Sequence, residues 1–106
     1  MDDKIAVSSA TLTNPLGLHA RPSVKLTRLA KTFASQIEMA AGTEEPWTDA
    51  KSIVKVMAIK AAKGVTLQFR AKGPDAAEAM AALSALVISG FAEDEGLSEQ
   101  PEPLNG

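Results

Sequence analysis

Cysteine and tyrosine are missing from this 106-residue chain, and histidine and tryptophan occur once each. Without cysteine there are no disulfides and no thiolate metal sites. A single histidine excludes a multi-histidine metal site, so no metal or other cofactor is expected. Aromatic residues make up only 4%, and 11 Lys and Arg stand against 13 Asp and Glu, a net charge of −2. A small nucleic-acid-binding domain is therefore disfavoured. No apolar run approaches the ~20 residues of a membrane span. Met1-Asp2-Asp3-Lys4 has neither the basic region nor the apolar run of a signal peptide. The expectation is a soluble cytoplasmic protein without membrane insertion. Hydrophobic residues make up 45% of the chain, enough for one globular domain with one core.

Hydropathy patterning predicts seven elements. Ile5, Val7 and Ser9 alternate with Ala6, Ser8 and Ala10 up to Leu12, a short strand. From Ala20 to about Ala34, Leu26, Leu29, Ala30 and Phe33 form an apolar stripe opposite Lys25, Arg28 and Lys31, an amphipathic helix. Ile37, Met39 and Ala41 suggest a second strand. Gly42 to Pro46 reads as a loop, and Trp47-Thr48 as a short edge strand. Trp47 is expected to pack rather than to recognise a partner. Lys51 to about Ile59 reads as a short helix capped by Ser52 or Asp49, with Val56 and Ile59 buried. Lys63-Gly64 is a turn, and Val65 to Ala71 alternates cleanly as a strand. Gly73-Pro74-Asp75 opens the last helix, with Pro74 at its first position and Asp75 in its first turn. Ala76, Met80, Leu83 and Val87 give that helix its stripe, and Gly90 stops it. The order β-α-β-β-α-β-α favours an α+β fold with helices on one face of an antiparallel sheet. Residues 1–92 form the expected domain. Residues 93–106 are acidic and Pro-bearing, and read as a disordered tail or linker.

The lone histidine sits in Asn14-Pro15-Leu16-Gly17-Leu18-His19-Ala20-Arg21-Pro22-Ser23, between a turn and a helix start. A helix N-terminus offers unpaired N–H donors and partial positive charge. Neutral imidazole is a nucleophile near neutral pH. His19 is therefore a candidate phosphoryl acceptor. The N–H groups near Ala20 and Arg21 are candidates to cradle the phosphate, and the Arg21 guanidinium to balance its charge. Pro22 fixes the helix entry.

Gly17-Leu18-His19-Ala20-Arg21-Pro22 resembles the active-site motif of the HPr family, the histidine phosphocarriers of the bacterial phosphoenolpyruvate-dependent phosphotransferase system. Lys51-Ser52-Ile53-Val54-Lys55-Val56-Met57 resembles the family's regulatory-serine segment. The resemblance covers roughly Lys4 to Ala92. It implies an open-faced β-sandwich of four antiparallel strands with three helices on one face. It implies a monomeric relay, not a turnover enzyme: His19 takes a phosphoryl group on its δ1 nitrogen from enzyme I and passes it to an enzyme IIA-type partner, in sugar uptake or related regulation. It also makes Ser52 a candidate target of an HPr kinase/phosphorylase; the alternative at Ser52 is an ordinary helix cap. Ile53, Val54, Met57 and Pro22 are candidates for a docking surface beside His19, with Lys25, Lys31, Lys51 and Lys55 as a basic rim. A second possible role is a mainly regulatory binding module controlled through Ser52. The chain departs from the family in three places. Lys60 stands where a glycine is usual, the Gly42–Asp49 loop looks about two residues longer, and the segment from Glu93 exceeds a minimal member. That segment resembles linkers to further phosphotransferase domains.

Overall fold

The computed structural model describes residues 4–42 and 46–91. The proposed tail, the boundary at 92 and the tip of the Gly42–Asp49 loop lie outside the described residues. The elements follow the expected order: β1 (Ile5–Thr11), α1 (Ala20–Lys31), β2 (Gln36–Ala41), β3 (Thr48–Asp49), α2 (Ile53–Ile59), β4 (Thr66–Lys72) and α3 (Ala76–Ile88). The strands form one antiparallel sheet in the order β1-β4-β2-β3.

The alternation of β4 is the pattern that builds the core. Leu67, Phe69 and Ala71 point inward, as do Ile37 and Met39 of β2, and all are buried with Leu26 and Ala30 of α1 and Ala79, Leu83 and Val87 of α3. β1 is turned the other way from its bulk. Its small residues Ala6, Ser8 and Ala10 face inward, opposite Ala71, Phe69 and Leu67, while Ile5 and Val7 remain about three-quarters exposed on the open face. α3 packs on β1, and small inward residues let it approach; the Ser84 and Ser8 hydroxyls hydrogen-bond across this seam at 2.7 Å. Trp47 does not enter the core. It lies on the open face over the Arg70 guanidinium, 4.1 Å from ring centroid to Cζ, and Arg70 Nε donates to Glu38 Oε1 at 2.7 Å. β3 spans Thr48–Asp49, one residue later than expected, and pairs there with Met39 and Glu38.

α1 stops at Lys31, three residues before the expected end, because the next turn is tied to another part of the chain. The Asp75 carboxylate accepts from the Ala34 N–H at 2.9 Å, the Ser35 N–H at 2.9 Å and the Ser35 hydroxyl at 2.6 Å. Asp75 is thus the N-cap of α3 by position but makes no side-chain cap bond, and Pro74 precedes the helix instead of opening it. Gly73 completes the junction. Its φ is +148°, and a Cβ there would lie 2.7 Å from Ser35 Cα.

The Ser35 hydroxyl, followed by the Ala34 N–H, pulls the Asp75 carboxyl from 3.8 down to about 2. The folded carboxyl therefore binds protons less readily than the unfolded one, so its contribution is complete above pH ~4 and fades as pH falls toward ~2. Asp75→Asn is expected to be less stable than the parent at pH 7, with the gap closing over that acid window. Urea midpoints measured from pH 7 down to 2 check this; a gap independent of pH would contradict it.

Candidate functional site

The site is built on the loop between β1 and α1. Gly17 N–H donates to Asn14 O at 3.1 Å, closing a turn, and the buried Asn14 side chain donates from Nδ2 back to Gly17 O at 2.6 Å. The same Gly17 carbonyl accepts the His19 N–H at 3.0 Å. One carbonyl thus gathers the whole turn. Gly17 is left-handed at φ +67°, and its Cα faces the backbone of Ala61 and Ala62 so closely that a Cβ would collide with the Ala61 carbonyl oxygen. Leu18 N–H donates to that oxygen at 2.9 Å. The histidine loop therefore rests on the segment that follows α2.

His19 is the N-cap of α1, with extended backbone (φ −96°, ψ −163°) and no side-chain cap bond. Imidazole is a poor substitute for the Ser, Thr, Asp or Asn that favour this position. The ring is left half-exposed at the mouth of a helix whose first turn holds no acidic residue. His19 O accepts from Ser23 N at 3.0 Å, the first helical bond. Geometry leaves the N–H groups of Ala20 and Arg21 without a helical acceptor, and Pro22 has none to offer. A helix start with two outward donors and an unengaged imidazole is suited to an anion covalently held on the ring.

His19 opens onto a shallow depression with Leu16, Met57 and Lys60, closed at its base by Leu18 and Ala61. Of the expected docking residues, Met57 (41% exposed) joins His19 there, and Val54 (75% exposed) lies nearby on α2 without lining it. Ile53 is half-buried, and of the two α2 residues expected inside, Val56 is buried while Ile59 only packs partly against the core. Pro22 corrects the expectation: it lies on the buried face of α1 and presents no surface to a partner. Leu16 (73% exposed), not singled out in the sequence, takes its place at the rim. Its signal was an apolar residue inside a turn.

Arg21 is exposed but does not line the His19 depression. It lines a separate groove along α1 with Val24, Lys25 and Arg28, and Ala20 borders both. The basic rim is divided accordingly. Lys25 belongs to the α1 groove, whereas Lys51 Nζ is engaged with Phe33 O at 2.8 Å. Lys60, the cation that lines this depression with His19, was noted in the sequence only as a departure. Ser52 caps α2, its hydroxyl accepting from Lys55 N at 3.3 Å, and Asp49 instead accepts from Lys51 N–H at 2.9 Å in the turn before it.

Lys60 ends α2 in the left-handed region, at φ 54° and ψ 38°. A non-glycine residue pays ~1–2 kcal/mol there, partly offset by glycine's larger unfolded-state entropy. Lys60→Gly is therefore expected to raise stability by ~0.5–1 kcal/mol. Chemical denaturation checks this; an unchanged or lower midpoint would mean that the αL geometry is relaxed in solution.

An open-faced sheet backed by helices, with a histidine capping the first of them, defines a histidine-phosphocarrier type of domain. Residues 7–89 match the family described as "PTS HPr component phosphorylation site". The chain is 48% identical over 85 residues to a phosphocarrier protein HPr of Cupriavidus necator, covering 80% of this chain and 93% of that one. It is 40% identical over 85 residues to a phosphocarrier protein NPr of Escherichia coli, covering 78% and 91%. Among solved structures, an HPr from Thermoanaerobacter tengcongensis superposes with a TM-score of 0.76 at 33% identity, covering 83% of this chain and 97% of that one. The chain belongs to the HPr family of phosphocarriers of the phosphotransferase system.

Proposed function

We propose that this chain carries a phosphoryl group on His19, loaded by enzyme I and unloaded to an enzyme IIA-type protein in the cytoplasm. The observation that supports it most is the His19 cap: an unengaged imidazole at the opening of an acid-free helix turn. In the loading step the neutral δ1 nitrogen of His19 attacks the phosphorus held by the donor. A new P–N bond forms as the bond to the donor breaks, so the group moves without net hydrolysis. The Ala20 and Arg21 N–H groups meet the phosphate oxygens. The exposed Arg21 side chain and Lys60 supply cationic charge from the two flanking depressions. Exposed Leu16, Val54 and Met57 form the apolar contact for both partners. Sequential docking on one surface fits a monomer that dissociates from each partner.

Incubation with enzyme I and phosphoenolpyruvate should add one acid-labile phosphoryl group, mapped to His19 by mass spectrometry. No mass gain with a competent enzyme I would refute the reading. A second reading, a regulatory module acting through Ser52, draws on the position of its hydroxyl at the start of α2 and on the likeness to an NPr. A phosphate there would gain from the helix dipole yet displace the cap bond to Lys55. Acid-stable phosphate on Ser52 without transfer through His19 would favour it.

A further inference from the structure

The net charge of −2 hides a division of the chain. All 11 Lys and Arg residues lie between Lys4 and Lys72; after Asp2 and Asp3, and from Lys4 up to Phe91, they meet only Glu38, Glu44, Glu45, Asp49, Asp75 and Glu78. Eleven against six leaves that part of the chain at +5. Beyond it, Glu93, Asp94, Glu95, Glu99 and Glu102 follow with no lysine or arginine among them. A charge asymmetry of this size between two parts of one chain favours their contact.

The positive charge has a focus. α1 contains Arg21, Lys25, Arg28 and Lys31 and no acidic residue. The first three line one groove together with the exposed apolar Val24 and Ala20. Among the described residues no carboxylate pairs with them, the ion pair there being Arg70 with Glu38.

The chain also leaves the fold beside this groove. Asp75, at the start of α3, is bound to Ala34 and Ser35 just past the end of α1. Gly90, at the other end of α3, lies against Thr13, ahead of the His19 loop. The two helices therefore run antiparallel, and Phe91 stands at the end of the molecule where α1 begins. Ala20 to Arg28 spans ~12 Å at the helical rise. Residues 93–102 reach up to ~33 Å when extended, so the whole groove is within range.

We infer that the acidic segment 93–102 docks in cis on the α1 groove, its carboxylates facing Arg21, Lys25 and Arg28. A short tether gives an effective concentration in the millimolar range, so even a weak contact is populated. The segment then competes with an acidic partner surface for α1. That consequence rests on the phosphocarrier reading above; the docking itself does not.

A single spin label tests the docking in the full chain, because there is no native cysteine to interfere. With the label on Ser98→Cys, the amides of Val24, Lys25 and Arg28 should broaden at low ionic strength. The broadening should disappear by ~0.5 M salt, where the Debye length has shrunk to ~4 Å and exposed charge pairs are largely screened. It should also disappear when Glu93, Asp94, Glu95, Glu99 and Glu102 are all replaced by their amides. Broadening elsewhere, or none, overturns the proposal. So does equal broadening in a mixture of spin-labelled chains and isotope-labelled, unmodified chains, which would mean contact between copies. For the competition, the five-amide chain should show a KM for enzyme I lower by roughly three-fold at low salt, with kcat unchanged. An unchanged KM overturns the competition. Absence of any transfer, in either chain, would refute the phosphocarrier reading while the broadening still decides the docking.

Discussion

A chain carrying His19→Gln is expected to fold as the parent does and to accept no phosphoryl group from enzyme I. The loss should be complete, because there is no second histidine to substitute for it. Folding should survive because the ring makes no cap bond and the His19 backbone contacts, to Gly17 O and from Ser23 N, are available to any residue. Arg21→Ala provides the graded comparison. Removing one preorganised charge from a developing phosphoryl transition state costs ~10²–10³-fold in rate. Arg21 is exposed in the first helical turn, so the same change should shift stability by only a few tenths of a kcal/mol. Rapid-quench transfer assays with radiolabelled phosphoenolpyruvate, read beside urea unfolding, separate the two effects. Residual phosphorylation of His19→Gln would move the acceptor elsewhere. A loss below tenfold in Arg21→Ala would reassign phosphate binding to the backbone donors and Lys60.

The largest loss of stability is expected at Phe91. The end of α3 is a Schellman arrangement: Gly90 N–H donates to Val87 O at 2.9 Å and Phe91 N–H to Leu86 O at 3.2 Å. Phe91 stands in the left-handed region at φ 57° and is wholly buried. The aromatic ring thus offsets a backbone conformation that costs energy, and an alanine there would keep the strain without the burial. Phe91→Ala should lose ~3–5 kcal/mol, a large part of the ~5–15 kcal/mol of a typical domain. Phe91→Leu should lose markedly less. Equilibrium urea unfolding gives both values; a loss under ~1 kcal/mol for the alanine would mean that the last turn is frayed in solution.

The sequence made β4 and the His19 loop legible because each signals locally, β4 through period-two alternation and the loop through turn residues followed by a helix start. Phe91 escaped because it falls one residue after a stop signal, outside any periodic window. The Asp75 clamp escaped because its partners are 40 residues away, and the same Asp reads as a helix-start residue in isolation. The alternation of β1 located the strand without saying which of its faces is buried. Its bulky residues point outward, since α3 needs the small ones beneath it. At the site, the motif located His19 and Arg21, whereas their opening onto two different depressions follows from the positions they take around the start of α1. Pro22 looked like surface because it stands beside His19 at the helix start; it falls instead on the inward face of α1 with Ser23 and Leu26.

The strand order β1-β4-β2-β3 sets a constraint in time as well as in space. β1 is made first, yet its partner in the sheet is β4, some sixty residues later. β2 waits for the same strand along its inner edge. On a ribosome, only the small β2–β3 pair has its partner before Thr66 emerges. The phosphate seat, carried on the loop after β1, is therefore assembled late, and until β4 is complete the backbone edge of β1 has no partner strand.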